Sequence, residues 1–207
     1  MNHIIIPPDI EPECLKSLRS DPVHTYNDLK GDCKYQVVEQ LSGLQNELCA
    51  YCERKLTGFI EHYLSINTHP DKQLDWDNFL AVCSGRLWTT NEVCCSQSKD
   101  NTILSLDPRK RECIDSIYFE GEFIRSKDMK WDGELNNILG LNCSSLINKR
   151  LARLKELEYT FLDDAIGNNL SELEFNQKLL RNVKNDFPEF YSYLIFSIES
   201  RIQTLKS

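Results

Sequence analysis

A chain of 207 residues with a formal net charge of −8 has room for one ordinary domain, or for a small core and a helical extension of similar size. That sign is wrong for a protein holding nucleic acid alone, because phosphate contacts supply most non-specific affinity. A partner would have to lend basic surface, or local clusters such as Arg109-Lys110-Arg111 and Lys149-Arg150 with Arg153 and Lys155 would supply it, unless these are ordinary solvated faces.

The run Ile4-Ile5-Ile6 is cut by Pro7 and Pro8, so neither a signal peptide nor a membrane span is expected there, and a cytoplasmic location is. Nine cysteines in a reducing compartment read as metal ligands or buried thiols more readily than as disulfides. Residues 1–34, rich in Pro, Asp and turn formers, read as an extended N-terminal arm with at most one short helix, over 14–18, tethered or bound to a partner. From 35 to 44 the positions Val37, Val38, Leu41 and Leu44 recur at helical spacing and lead into Leu48-Cys49-Ala50-Tyr51-Cys52.

Residues 49–104 hold short, Cys-punctuated pieces in which 59–63 and 78–82 read as two strands. Ile117-Tyr118-Phe119 and Phe123-Ile124 flank Glu120-Gly121-Glu122, a turn between two more strands. From Ser145 onward the pattern is helical, with Ile147, Leu151, Leu154, Leu157, Phe161 and Leu162 on one face. A capping box, Ser171-x-x-Glu174, opens a second helix, and an aromatic-rich third runs from Phe190 through Ile202. The apolar faces of these helices are broad enough to predict docking on a partner. The expected organisation is α+β: an arm over 1–34, a zinc-stapled core over 35–143 and a helical C-terminal extension over 144–207.

Two residues between Cys49 and Cys52 let both thiolates point at one ion, as tetrahedral zinc favours. A second pair is available in Cys83 with Cys95, or with Cys94 beside it, across the loop 84–93. Four thiolates from two turns would make a closed structural site. Cys14, Cys33, Cys113 and Cys143 have no pairing logic and read as buried thiols.

Between the two cysteine pairs lies Ile60-Glu61-His62, and Asn78 follows at the start of the second apolar run. Phosphodiester hydrolysis needs a base to activate water and a cation to neutralise charge on the phosphate and leaving oxygen. On a strand, the imidazole of His62 and the carboxylate of Glu61 diverge, so one can serve as base while the other holds a divalent ion. The amide of Asn78 is placed to cross-bond the loop carrying His62.

Cys49-x-x-Cys52, Ile60-Glu61-His62, Trp76-Asp77-Asn78-Phe79-Leu80, Cys83 and Cys95-x-x-x-Lys99, in this order, resemble the HNH endonucleases. With Leu74-Asp75 before Trp76, and with Trp131-Asp132-x-x-Leu135-Asn136 and Leu139-Gly140-Leu141-Asn142 downstream, residues 1–163 resemble the PtuB family, the HNH component of Septu and Septu-carrying retron antiphage systems. The resemblance implies a ββα-metal (HNH) core cutting DNA or tRNA as a toxic effector. It implies a PtuA-type ATPase partner and, in the retron setting, a reverse transcriptase with its RNA-DNA hybrid. It makes His62 the general base, Glu61 a ligand of magnesium or manganese, Asn78 the orienting residue and Lys99 a supporting cation. Ser96 stands where the related pattern has a metal-binding carboxylate, and a hydroxyl is a weaker ligand for a hard cation. A catalytically inactive, zinc-stabilised interaction module is the alternative.

Overall fold

A computed structural model describes residues 1–87 and 90–207; residues 88 and 89 of the expected loop 84–93 lie outside the described set. Helices α1 (Glu13–Ser20) and α2 (Gly31–Leu44) precede strands β1 (Phe59–His62), β2 (Phe79–Val82), β3 (Arg86–Leu87) and β4 (Glu92–Val93). Then come α3 (Cys95–Lys99), α4 (Arg111–Asp115), β5 (Ile117–Glu120), β6 (Phe123–Ser126) and α5 (Met129–Gly133), which runs into a π-helical turn, Glu134–Ile138. Helices α6 (Ser144–Gly167), α7 (Glu172–Asp186) and α8 (Tyr191–Thr204) follow. The strands pair as the antiparallel ladders β1-β2, β3-β4 and β5-β6, so the class is α+β. Among the described residues no helix is long and apolar enough to cross a membrane.

Strand β2 shows why its sequence is an unbroken apolar run. Its alternate residues Phe79 and Ala81 pack with Val37 and Leu41 of α2, while Leu80 and Val82 enter the larger core around the cysteines. A strand covered on both faces has no solvent side to make polar. The hairpin β5-β6 turns through Gly121 at φ +59°, the glycine position of a two-residue turn matched to strand twist. The Asn142 side chain accepts from Ile124 N and donates to Ile124 O, both at 2.9 Å, while Asp132 accepts from Ser126 N at 2.9 Å. The downstream segment singled out in the sequence therefore pins this hairpin in place.

Residues 1–34 do not extend away from the core. Leu15 and Leu29 are buried with Leu74, Trp76 and Phe79, Trp76 Nε1 donates to Pro7 O at 3.1 Å, and Tyr26 N donates to the Gln73 side chain at 3.0 Å. Cys14 and Cys33 form a disulfide, correcting their reading as free buried thiols. The first turns of α1 and α2 bring their Cα atoms to 5.8 Å, a proximity no local spacing reveals. A cross-link between residues 19 apart constrains the unfolded chain by about 3 kcal/mol.

The C-terminal helices also differ from expectation. The capping box at Ser171 and Glu174 is present, but the broad apolar faces are largely spent internally: Leu154, Leu157, Leu179, Val183, Tyr193, Leu194 and Ile198 share one core with Cys49, Cys52 and Cys83. What remains outside on α6 is the stripe Tyr159, Leu162 and Ile166.

Helix α6 is capped from a distance. Ser144 N and Ser145 N donate to Glu92 at 3.2 and 3.0 Å, and Ser144 Oγ donates at 2.9 Å, so a carboxylate sits at the positive end of the helix. The Ser145 and Ser144 hydroxyls, together with the Ser145 amide, hold the Glu92 carboxyl down at about 2 against an ordinary 4.5. A carboxyl depressed by folding adds stability above its unfolded value and loses it as pH falls through the folded one. Between pH 4.5 and 2 the amides of Ser144 and Ser145 are therefore expected to lose hydrogen-exchange protection before those of mid-helix Leu154. Glu92→Ala, which removes the acceptor altogether, should lose that protection already at pH 7, and unchanged protection would refute the cap.

Candidate metal centre and the Glu61-His62 strand

The first cysteine turn is built by backbone bonds. Cys49 N donates to Arg54 O at 2.8 Å, Glu53 N donates to Cys49 O at 3.1 Å, and Ala50 N donates to Ala81 O at 3.1 Å, fastening the knuckle to β2. The buried Gln45 side chain adds a clamp, donating to Leu48 O and Ala81 O and accepting from Ala81 N at 2.9 Å. Nothing in local periodicity marked Gln45.

The second turn closes tightly. Cys94 N donates to Gly85 O at 2.8 Å, and Gly85, at φ +69°, admits no side chain because a Cβ there would lie 2.5 Å from Cys94 O. Cys95 N donates to Leu139 O at 2.8 Å, while Gly140, at φ +61°, passes close to Val93 O. The Leu139-Gly140 segment thus fixes the fourth cysteine.

Cys49, Cys52, Cys83 and Cys95 are all buried, and their sulfurs lie within 4.8 Å of one another. Cys49 Sγ is 3.9 Å from Cys95 Sγ, and Cys52 Sγ is 3.7 Å from Cys83 Sγ. A tetrahedron with bonds of about 2.3 Å to sulfur has edges of about 3.8 Å, so the set can hold a metal ion such as zinc. The ambiguity between Cys94 and Cys95 closes in favour of Cys95. Cys94 lies beside the cluster, where Arg54 Nη2 reaches Cys83 Sγ at 3.0 Å and Cys94 Sγ at 3.4 Å. Burial pushes the Cys49 and Cys95 thiols up, whereas hydrogen bonds from Cys49 and its neighbours pull Cys83 well down. A divalent cation would replace these competing protons, and Arg54 would offset part of the excess thiolate charge.

Strand β1 sends Glu61 and His62 to different surroundings. Glu61 meets the ammonium of Lys99, at the end of α3, at 2.7 Å, and Lys99 also donates to His62 O at 3.2 Å. Lys99 is 1% exposed, so its cation is committed inside the protein rather than offered to an incoming phosphate. Burial raises the Glu61 carboxyl above its ordinary value while Lys99 pulls the other way.

The His62 ring is half-buried, edge-on to Phe79 at 5.0 Å and to Tyr26 at 4.5 Å. Its Nε2 lies 3.0 Å from Gln73 O. A carbonyl oxygen only accepts, so this contact places the proton on Nε2 and leaves Nδ1 as the basic nitrogen. Burial lowers the His62 pKa below 6.5, favouring neutral imidazole at pH 7. Asn78, also buried, accepts from Leu64 N at 2.7 Å and donates to Leu64 O and Lys72 O at 3.0 Å each. It therefore ties together the two ends of the loop 63–78 that carries Gln73 past His62.

The expected site residues thus fall into three groups: the sulfur cluster, the Glu61-Lys99 pair, and His62 with the loop braced by Asn78. Sequence reasoning missed Tyr26 and Gln73, both of which meet His62 through tertiary contact alone. Asn101 accepts from Ser65 Oγ at 2.7 Å and from Asn67 Nδ2 at 2.9 Å, so it braces a loop. Among the described residues, no second group of three or more His, Cys, Asp or Glu side chains gathers its ligand atoms as the four cysteines do. No protein-family model matches the chain, and no curated protein matches its sequence.

Proposed function

We propose that this chain is an HNH-type nuclease, the toxic effector of an antiphage defence complex, with its fold stapled by zinc at Cys49, Cys52, Cys83 and Cys95. The observation that carries the reading is His62: neutral, its Nε2 proton committed to Gln73 O, and its Nδ1 left to take a proton from water. Asn78 is a positioning residue, because it braces the loop that supplies that carbonyl. The acidic chain works with a PtuA-type ATPase and, in a retron setting, a reverse transcriptase with its RNA-DNA hybrid. The exposed stripe Tyr159, Leu162 and Ile166 is of the kind interfaces cover.

The magnesium or manganese ion that the resemblance assigns to Glu61 does not fit the residues as they stand. The Glu61 carboxylate is already held by Lys99, and Ser96 offers no second carboxylate. The same pair favours the second reading, an interaction module without catalysis, because a buried Glu-Lys pair between β1 and α3 serves packing without any chemistry.

Co-expression with its neighbouring genes, followed by sequencing of broken DNA and RNA from dying cells, tests the proposal. Breaks that require this chain support a nuclease and name its substrate, DNA or tRNA. Cell death with intact nucleic acid would leave only the interaction module.

A further inference from the structure

The cleft of about 350 Å³ between the first cysteine turn and α6 collects cations from stretches about a hundred residues apart: Arg54 and Lys55 on one wall, Lys149 and Arg153 on the other. Two carboxylates, Glu156 and Glu189, also line it. Glu156 accepts from Arg153 Nη1 at 2.8 Å, and Glu189 accepts from Lys55 N at 2.7 Å. Arg54 is partly spent on the sulfurs of Cys83 and Cys94, yet its Nε, like that of Arg153, is buried without a hydrogen-bond partner. Buried N–H groups ordinarily find acceptors, and two orphan guanidinium donors in one cleft mark a place for an anion. Lys55 Nζ is paired with Glu47 at 3.4 Å and Arg54 serves the sulfurs, so the basic character of the cleft rests on Lys149 and the Arg153 guanidinium.

We propose that this cleft binds a phosphate group, with Lys149 and Arg153 as its principal contacts and a nucleic-acid backbone as the source. The anion site stands on the cleft alone; only its source rests on the nuclease reading. Thr57, at the cleft's edge, and His62 are five residues apart, at most about 17 Å at 3.3–3.4 Å per residue. A strand rising about 3.4 Å per nucleotide spans that distance in about five nucleotides. The basic residues noted in the sequence divide accordingly. Arg150 is buried and donates to Glu122 O, and Arg109 pairs with Asp107 outside the cleft lining, whereas Lys149 and Arg153, the latter also paired with Glu156, line the cleft.

The test uses the full chain with its metal content and far-UV spectrum checked. Inorganic phosphate is titrated while backbone amide resonances are followed, and a fluorescent single-stranded 12-mer DNA, about twice that span, is titrated by anisotropy at several salt concentrations. Saturable phosphate shifts confined to amides around 54–57 and 149–156 are expected. Lys149→Glu combined with Arg153→Gln should abolish them and weaken oligonucleotide binding by at least about tenfold. The salt slope should shrink by about 0.7, the share of one phosphate contact on a single strand. Neither readout requires cutting, so a chain that never cuts can still pass. Phosphate binding without oligonucleotide binding would keep the anion site and overturn its nucleic-acid source. Absence of cleft shifts, or a double variant that binds like the wild type, would overturn the site itself.

Discussion

Cys49→Ser combined with Cys52→Ser is expected to leave a chain without zinc and without a cooperative unfolding transition, whereas the wild type carries about one zinc per molecule. Structural zinc at four such ligands contributes on the order of 10–16 kcal/mol, comparable to or above the roughly 5–15 kcal/mol by which whole domains are stable. The loss cannot stay local here, because the cysteine cluster shares one core with Leu80, Val82, Leu139 and the C-terminal helices. Cys94→Ser is the matched control. Its sulfur meets Arg54 beside the cluster rather than joining it, so that variant should keep its metal and its fold. Elemental analysis with thermal unfolding decides the matter. A wild type that is folded and free of metal, or a Cys94→Ser protein that loses zinc while Cys95→Ser keeps it, would refute the assignment.

What could be read from the sequence was whatever depends on local spacing. The two-residue gap between Cys49 and Cys52, the apolar period of α2, the turn at Gly121 and the capping box at Ser171 each follow from chemistry within a few residues. The fourth cysteine was ambiguous because Cys94 and Cys95 are adjacent; the choice is made by Leu139 O, which accepts from Cys95 N. Tyr26, Gln73, Gln45 and the disulfide escaped for the same reason, since each acts on a residue distant in the chain. The Asn78 side chain does cross-bond the loop after His62, as its position suggested. The reading of Glu61 and Lys99 as separate helpers missed that opposite charges one strand and one short helix apart pair with each other when buried.

His62→Ala is expected to lower nucleic-acid cleavage by about 10²–10⁴-fold, the usual yield of a general base, and to abolish cell killing in the co-expressed complex. The alanine also removes a ring packed edge-on against Tyr26 and Phe79, so some loss of stability accompanies it. His62→Gln separates the two effects. Its amide N–H can still donate to Gln73 O and fill part of the space, yet it offers no basic nitrogen near neutral pH. Both variants should therefore be inactive, while the glutamine variant unfolds closer to the wild-type temperature and retains zinc and partner binding. Asn78→Ala is the poorer probe, because it strands Leu64 N, Leu64 O and Lys72 O together, at about 1–3 kcal/mol for each buried group left unpaired. Its effect on activity would be inseparable from a collapsing loop. If the His62→Gln complex cuts at the wild-type rate, the base lies elsewhere and the chain serves its complex as a zinc-held adaptor. If cutting stops while assembly persists, the nitrogen left free by Gln73 is the one that takes the proton.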